Sequence, residues 1–504
     1  MNNFTFDKQT LEIIDYISND MLNAKNPMKY FNNIYNSHLN ENKNNIKNLY
    51  DFLVNLLLKS IKDVNKINQI EQTNNKIMIK WTNKQNNYPF LYNSIIHLLE
   101  LNNKTHISFN TFNILYNKKQ IQISDFIKLD KFNDYFNEYF NNIINTMQVN
   151  DQTVNKSNDH TINKSSNQTD KNDVLNVLKK FQNGQFISLD IKHYVENNIN
   201  YCEIHDFDHL KLYFFSQDTI NINEKNSIIT HILTISKWIH QLNPIYKIKF
   251  AYFDCPLNKK LDFKKNNDDF KFLSSQNINS GSSSSNNFLV VWRREEFTKV
   301  LIHELIHYLD IDVKHDDNFN NLIDYKIGNI DYPILVNETI TEIQAQFLHT
   351  IYICVGQSVG QSVGQSIDTF DTFDTFNTLY KYEQIFSWYQ FSKIMDYYGI
   401  EKFKKKHIKT KFNQSTNVFV YYILKSILTL NFAFIILPLN HFAHNININI
   451  KTNCDVNNCN PLVKHIKKTL IKPKKLIKFI NKVIKRLEFF NETLRMTIFS
   501  VRIK

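Results

Sequence analysis

The amino-acid sequence predicts an α+β protein, with a helical N-terminal region, a small mixed sheet and a mainly helical C-terminal half. Apolar residues recur at helical spacing through residues 1–148. Between residues 174 and 292, short runs of β-branched and aromatic residues alternate with one helical pattern, which is typical of a sheet with a crossover helix. The apolar pattern then becomes helical again. A chain of 504 residues is long enough for two or three domains around a sizeable core.

Residues 1–148 are predicted to form an N-terminal helical domain, because apolar side chains such as Leu49, Leu53 and Leu57 share one helix face. Residues 149–173 carry almost no apolar side chains. We expect a disordered polar linker there, since ordering it buries too little apolar surface to offset the entropy. The first region contains no catalytic constellation, and a scaffold or partner-binding role is the simplest expectation for it.

The stretch Lys299–Asp310, KVLIHELIHYLD, places His303, Glu304 and His307 in the order H-E-x-x-H. Residues four apart lie on one face of a helix about one turn apart, so both imidazoles can reach one zinc ion. The carboxylate of Glu304 then lies beside the metal, where it can take a proton from an attacking water. The alternative is a solvated helix that carries these residues by chance.

A third ligand has to come from another element. Asp310 lies about 10 Å along the helix from His303, too far to share a metal held by bonds of about 2 Å. His315 remains possible but lies in a polar loop. Glu338 opens a second helical pattern and shares a face with Glu342. One of these two carboxylates can bind zinc while the other orients a histidine ligand through its free N–H.

H-E-x-x-H followed by a helix bearing N-E-x-x-x-acid resembles the gluzincin metallopeptidases, of which thermolysin is the familiar member. The resemblance implies a zincin-like fold with one zinc ion per chain on His303, His307 and Glu338. It further implies Glu304 as general base and Glu342 as the acid that orients a ligand. The segments WRREE, VNETITE, FVYYILKS and LRMTIFS are also similar to metallopeptidases encoded by giant DNA viruses of the mimivirus kind. The long polar interval between the second histidine and the third ligand departs from the gluzincin pattern.

Residues 174–287 are predicted to form the α/β half of the catalytic domain, with the strand FLVVW following directly. In zincins the last strand of the sheet is an edge, and an extended peptide can pair with it through backbone hydrogen bonds. We therefore predict that the substrate lies along this strand. An ordinary internal strand is an equally good interpretation. The residues of the predicted edge are Phe288, Leu289, Val290, Val291 and Trp292.

Residues 288–504 are predicted to form the zinc-binding, mainly helical half. A tandem repeat at 355–376 is interpreted as an insertion in a surface loop. The apolar run 417–437 is long enough to cross a bilayer, but Lys425 near its middle favours a buried helix behind the zinc helix, and no transmembrane segment is expected. Candidates on this run for stabilising an oxyanion are Tyr421, Tyr422 and Lys425.

The net charge of +12 permits contact with acidic partners. A basic amphipathic pattern at 464–485 provides a place for such contact with a virion component, a nucleic acid or a membrane surface. Five scattered cysteines and the absence of a signal-peptide pattern favour an intracellular location, in the host cytoplasm or the virion.

The sequence therefore predicts a zinc-dependent endopeptidase with Glu304 as its general base. One alternative is a non-catalytic virion or scaffold protein that keeps a zinc site. The intact Glu304 disfavours this alternative, because a structural site needs no base and usually closes all four positions with protein ligands. The other alternative is a basic nucleic-acid-associated protein with an incidental H-E-x-x-H, which zinc stoichiometry would separate from the first two.

Overall fold

The computed structural model combines helices with a mixed sheet, which confirms the predicted α+β class. The described part of the chain comprises residues 5–17, 27–70, 76–80, 113–122, 140–151, 162–261, 273–312, 334–361, 372–400, 405–439 and 493–502, apart from short gaps at 7, 117–118, 144, 185, 245, 284–287, 415, 430–431 and 437–438.

The described strands are β1 (Thr5–Phe6), β2 (Lys76–Lys80), β3 (Asn113–Tyr116), β4 (Lys119–Gln122), β5 (Gln148–Asp151), β6 (Tyr201–Asp206), β7 (Leu210–Ser216), β8 (Ile248–Phe253), β9 (Gly281–Ser282), β10 (Leu289–Val291) and β11 (Val501–Arg502). The described helices are α1 (Lys8–Tyr16), α2 (Pro27–Ile70), α3 (Ile162–Asn183), α4 (Leu189–Asn198), α5 (Ile222–His240), α6 (Ser275–Ile278), α7 (Phe297–Tyr308), α8 (Val336–Gln361), α9 (Thr372–Tyr397), α10 (Lys405–Lys411), α11 (Lys425–Leu428) and α12 (Phe432–Ile436). A π-helical segment, Phe419–Leu424, leads directly into α11.

Seven strands form one sheet in the order β5-β2-β6-β7-β8-β10-β9. The neighbours β7, β8 and β10 are parallel, as strands joined by a crossover such as α5 must be. The remaining neighbours in this sheet are antiparallel. Because α7 follows β10 after the short connection 292–296, the strand next to the edge strand β9 determines where the H-E-x-x-H helix begins.

Each face of the sheet buries its own apolar core. Phe214, Phe250 and Tyr252 lie in the core that also contains the apolar residues of α5 and α7. Phe215 and Phe253 lie in the opposite core with α3 and α4, and their rings stack with centroids 4.4 Å apart. Strands buried on both faces are apolar at nearly every position, which explains the continuous hydrophobic runs in this part of the sequence.

The N-terminal residues belong to this sheet and are not a separate helical domain. β2 pairs with β6 along its whole length, and β5 pairs with the other side of β2. Helix α2 packs on α5, where the indole N–H of Trp238 donates to the carbonyl of Leu53 at 3.0 Å. The predicted apolar stripe of α2 is buried, but the boundary predicted at residue 148 is wrong. Pairing between distant strands leaves no local pattern in the sequence.

The predicted polar linker at 149–173 is ordered at both ends. β5 reaches Asp151, and α3 begins at Ile162. The C-terminal half of α3 is anchored in the core by Val174, Val177 and other fully buried residues. Helix propagation adds one hydrogen bond for each residue fixed, so an anchored half extends at little cost into a polar sequence. Polar composition alone therefore gave a wrong expectation for these two ends, and residues 152–161 lie outside the described residues.

The predicted edge strand is an internal strand. β9 pairs antiparallel with β10, with Gly281 opposite Val291 and Ser282 opposite Val290, so β9 ends this side of the sheet within the described ranges. Leu289, Val291 and Trp292 are fully buried in the two cores. The prediction missed β9 because it has two residues, and glycine and serine carry no strand preference.

The tandem repeat at 355–376 is not entirely a surface loop, since α8 extends into it and α9 begins within it. The rings of Phe373 and Phe376 pack on Tyr50 with centroids 5.3 and 5.0 Å apart. This contact joins the end of the repeat to α2. The middle of the repeat and the basic run predicted at 464–485 lie outside the described residues.

The apolar run 417–437 is buried, as predicted, but it is broken into the π-helical segment, α11 and α12. Lys425 starts α11 with 2% of its surface exposed and packs behind the H-E-x-x-H motif. Among the described helices, none has both the length and the apolar character needed to cross a membrane.

We expect that a chain lacking residues 1–158 will not fold cooperatively. The deletion removes the partner strand of β6 and uncovers the face of α5 that packs on α2, which exposes a strand edge and an apolar surface. Thermal unfolding followed by circular dichroism, with size-exclusion chromatography, measures this against the full chain. A single sharp transition and monomeric elution of the shortened chain would show that the sheet is complete without β2.

Candidate metal centre

The structure brings together the three predicted ligands on two helices. His303 and His307 lie one turn apart on α7, with ring centroids 4.9 Å apart. Glu338, in the first turn of α8, faces them. Its Oε2 atom lies 3.5 Å from Nε2 of each histidine, and the three ligand atoms lie within 4.8 Å of one another. The arrangement requires α7 and α8 to pack side by side, which their buried apolar faces achieve.

These distances fit a bound metal ion. Bonds of about 2.1 Å at tetrahedral angles place two ligand atoms about 3.4 Å apart. In addition, the buried Nε2 atom of His307 has no hydrogen-bond partner among the described residues. A buried nitrogen without a partner costs free energy unless something satisfies it. His303, His307 and Glu338 can therefore hold a metal ion.

A carboxylate faces Nδ1 of each histidine, the ring nitrogen that points away from the other two ligands. His303 Nδ1 is 3.1 Å from Glu342 Oε2, and His307 Nδ1 is 3.1 Å from Asp312 Oδ2. Such contacts fix the ring orientation and leave Nε2 for the metal. Asp312 was missed by sequence reasoning. It reaches back to the ring because Asp310, just after the helix, adopts a left-handed backbone conformation with φ of 55°.

Glu342 is buried between two lysines. Lys425 Nζ donates to Glu342 Oε1 at 3.1 Å, and Lys299 forms a close ion pair with Oε2. Burial raises the pKa of Glu342, but the two ammonium groups outweigh it and hold the pKa well below the usual range. Glu342 is therefore ionised and lies at ion-pair distance from His303 Nδ1, which makes no hydrogen bond of regular geometry with the described residues.

The carboxylates around the cluster raise the pKa of both histidines. Burial lowers the pKa of His307, but Asp312 and Glu338 outweigh this effect and raise the pKa to about 10. Glu338 shows the opposite shift, because His303 and His307 overcome the effect of burial and hold its pKa below the usual range. The carboxylates thus attract cationic charge to the position between the two rings, where a metal ion would displace protons.

Glu304 lies next to this cluster with 8% of its surface exposed. Burial raises its pKa above the usual value, and the nearby histidines oppose the shift only in part. The edge strand runs directly against it: a Cβ atom on Gly281 would lie 2.8 Å from Glu304 Oε1 and 2.7 Å from a methyl group of Val300. Only glycine lets β9 come this close.

A cavity of about 330 Å³ opens over the cluster. His303, Glu304, His307, Glu338 and Glu342 all line it, so the structure brings together every predicted residue of the metal site. The predicted edge residues 288–292 do not line it. Residues 280–283 take that place, as the internal position of β10 requires. The alternative ligand His315 lies outside the described residues.

Tyr421 lies on the opposite wall of the cavity, where its hydroxyl donates to Glu338 Oε2 at 2.8 Å. The other two oxyanion candidates point elsewhere: Tyr422 donates to the carbonyl of Leu494, and Lys425 to Glu342. Adjacent residues of a helix point about 100° apart, so one tyrosine faces the cavity while the next faces the segment that contains Leu494.

Comparison with known proteins adds no relative. No protein-family model matches the chain, and no curated protein or solved structure matches it significantly.

We expect the purified protein to retain one zinc or cobalt ion per chain after dialysis, measured by elemental analysis. Glu338→Ala should lose this ion because only two ligands remain. Glu224→Gln, which alters a carboxylate paired with Arg294 outside the cavity, is the control and should keep it. An unchanged metal content in Glu338→Ala would mean that the ion binds elsewhere.

Proposed function

We propose that this protein is a zinc-dependent endopeptidase with a gluzincin-like centre in a zincin-like fold. The observation that carries the proposal is the convergence of two Nε2 atoms and one carboxylate oxygen beside the buried Glu304. Two histidines and one glutamate are the ligands of a known class of catalytic zinc sites, in which the fourth position stays open. Zinc bound there polarises a carbonyl group and acidifies a water molecule.

Glu304 is the general base of the proposed reaction. It accepts a proton from the water that attacks the scissile carbonyl and passes the proton to the leaving amine. Burial raises its pKa, and a base with a pKa closer to neutrality transfers the proton onward more readily. An open cavity with a base beside the ligands has no use in a scaffold protein, which supports the enzyme over the non-catalytic alternative.

An extended peptide is the proposed substrate, because no strand among the described residues pairs with the outer edge of β9. The amide of Trp292 donates to the carbonyl of Ser280 at 3.0 Å. Backbone groups of alternate residues point to opposite sides of a strand, so those of Ser280 and Ser282 face β10 and those of Gly281 point away from it. A peptide that pairs with Gly281 would lie alongside Glu304.

Tyr421 is the proposed donor to the oxyanion that forms when water adds to the carbonyl. Burial and the adjacent Glu338 raise the pKa of Tyr421 well above its usual value, so the hydroxyl keeps its proton. The hydroxyl has one proton, which it donates to Glu338 in this structure, so it must turn from Glu338 toward the oxyanion to act. A donor placed at an oxyanion stabilises the transition state by about 3 kcal/mol. The hydroxyl already lies at hydrogen-bond distance from a metal ligand.

We expect Glu304→Gln to lower peptide cleavage by about a thousandfold or more, because the amide cannot accept the proton. Cleavage of a peptide library, read by mass spectrometry, measures the change. Zinc content should stay at the wild-type value, since Glu304 is not a ligand and glutamine has the same size. Peptide cleavage by Glu304→Gln at the wild-type rate would show that Glu304 is not the general base.

We expect Gly281→Ala to lower kcat/KM by about 10-fold to 100-fold without loss of zinc, because the new Cβ displaces Glu304 and disturbs the edge strand. Gly184→Ala is the matched control. It places a Cβ 2.9 Å from Ile187, an equally tight contact remote from the cavity. Equal kcat/KM in the two variants would indicate that β9 does not bind the substrate.

A further inference from the structure

The chain ends in a segment that is built into the base of the metal site. Residues 493–500, the C-terminal segment, are all buried between α7, α9 and the π-helical segment. Side chains of the surrounding helices satisfy their backbone groups. Gln390 donates to the carbonyl of Arg495 at 2.7 Å, and Glu296 accepts from the amide of Thr497 at 2.6 Å.

One of these contacts continues to a metal ligand. Lys425 Nζ donates to the carbonyl of Met496 at 2.8 Å and to Glu342 Oε1 at 3.1 Å. The second oxygen of Glu342 lies 3.1 Å from His303 Nδ1. A continuous series of polar contacts thus runs from the C-terminal segment to the ring whose Nε2 faces the metal position.

Every member of this series is buried. Lys425 and Glu342 have 2% and 1% of their surfaces exposed, so neither can replace a lost partner with water without moving. If the C-terminal segment leaves, Lys425 loses the carbonyl of Met496 and shifts toward solvent. Glu342 then loses its contact through Oε1 and keeps Lys299 on Oε2, the atom that also faces His303, so the carboxylate can turn and change the position of that acceptor.

We propose that the seating of the C-terminal segment and the binding of zinc are thermodynamically coupled through Lys425 and Glu342. The end of the chain thereby regulates the affinity of the metal site. Coupling is reciprocal, so bound zinc must hold the segment in place by the same free energy. The inference rests on the proposed zinc site but not on peptide cleavage.

The N terminus determines how firmly the segment is held. β1 pairs with β11, and the rings of Phe6 and Phe499 stack with centroids 5.3 Å apart. Thr10 donates to the carbonyl of Ile498 at 2.7 Å and accepts from the guanidinium of Arg495 at 3.0 Å. Residues 5–10 therefore hold the C-terminal segment in place, and separating the two would weaken zinc binding.

A pair of lysine variants tests the coupling. Lys425 and Lys393 are both buried and both donate to carbonyls of the C-terminal segment, but only Lys425 contacts Glu342. Zinc affinity is measured by competition with a chromophoric chelator. Lys425→Met should weaken it by about 10-fold to 100-fold, while Lys393→Met should change it by less than about threefold despite lower stability. Equal losses in both variants would overturn the coupling.

Hydrogen exchange of the wild-type protein supplies a second readout that needs no variant. Zinc should slow exchange at the amides of Met496 and Thr497 more than at those of α4, which lies away from the cavity. This additional slowing of exchange at Met496 and Thr497 should disappear in Lys425→Met. If that variant does not fold, the additional slowing should be smaller in Lys425→Gln than in the wild type. Uniform slowing in the wild type would overturn the inference alone, whereas failure of the wild type to bind zinc would overturn the proposed function as well.

Discussion

The metal centre depends on the pairing of buried carboxylates with cations around α7. Glu342 lies between two lysines, and Glu296, just before the helix, pairs with Lys259 at 2.9 Å. An unpaired charge at such depth costs several kcal/mol, about 3–5 when one partner of a pair is removed. These pairs therefore hold α7, α8 and the C-terminal segment in one relative position. The ligands converge because the elements that carry them cannot move apart without leaving a charge exposed to an apolar interior.

The surrounding charges and burial also give the three acids of the cavity different pKa shifts, and these shifts suit them to different roles. Of the three carboxylates that line the described cavity, Glu338 and Glu342 have their pKa held below the usual range by adjacent cations. Burial raises the pKa of the third, Glu304. The first two are thus suited to permanent negative charge, as ligand and as orienting group. The last is suited to gaining and losing a proton, which is what the proposed reaction requires.

The sequence predicted the metal site better than it predicted the fold around it. Spacing on a helix is local, so His303, Glu304 and His307 could be placed from four-residue periodicity, and the helix beginning near Glu338 could be recognised in the same way. The contact of Asp312 with His307 could not be predicted from the sequence, because it depends on the left-handed backbone conformation of Asp310. Glu296, just before α7, binds the C-terminal segment. Contacts between residues far apart in the chain, such as Glu296 with Met496 and β2 with β6, have no periodicity to detect.

We propose that one zinc ion is held by two imidazoles and one carboxylate from facing helices. Anomalous diffraction at the zinc edge, on crystals of the zinc-loaded protein, tests it directly. We expect a single anomalous-difference peak about 2.1 Å from Nε2 of His303, Nε2 of His307 and an oxygen of Glu338. A peak bound through sulfur or through Nδ1 atoms, or one located away from α7, would contradict it.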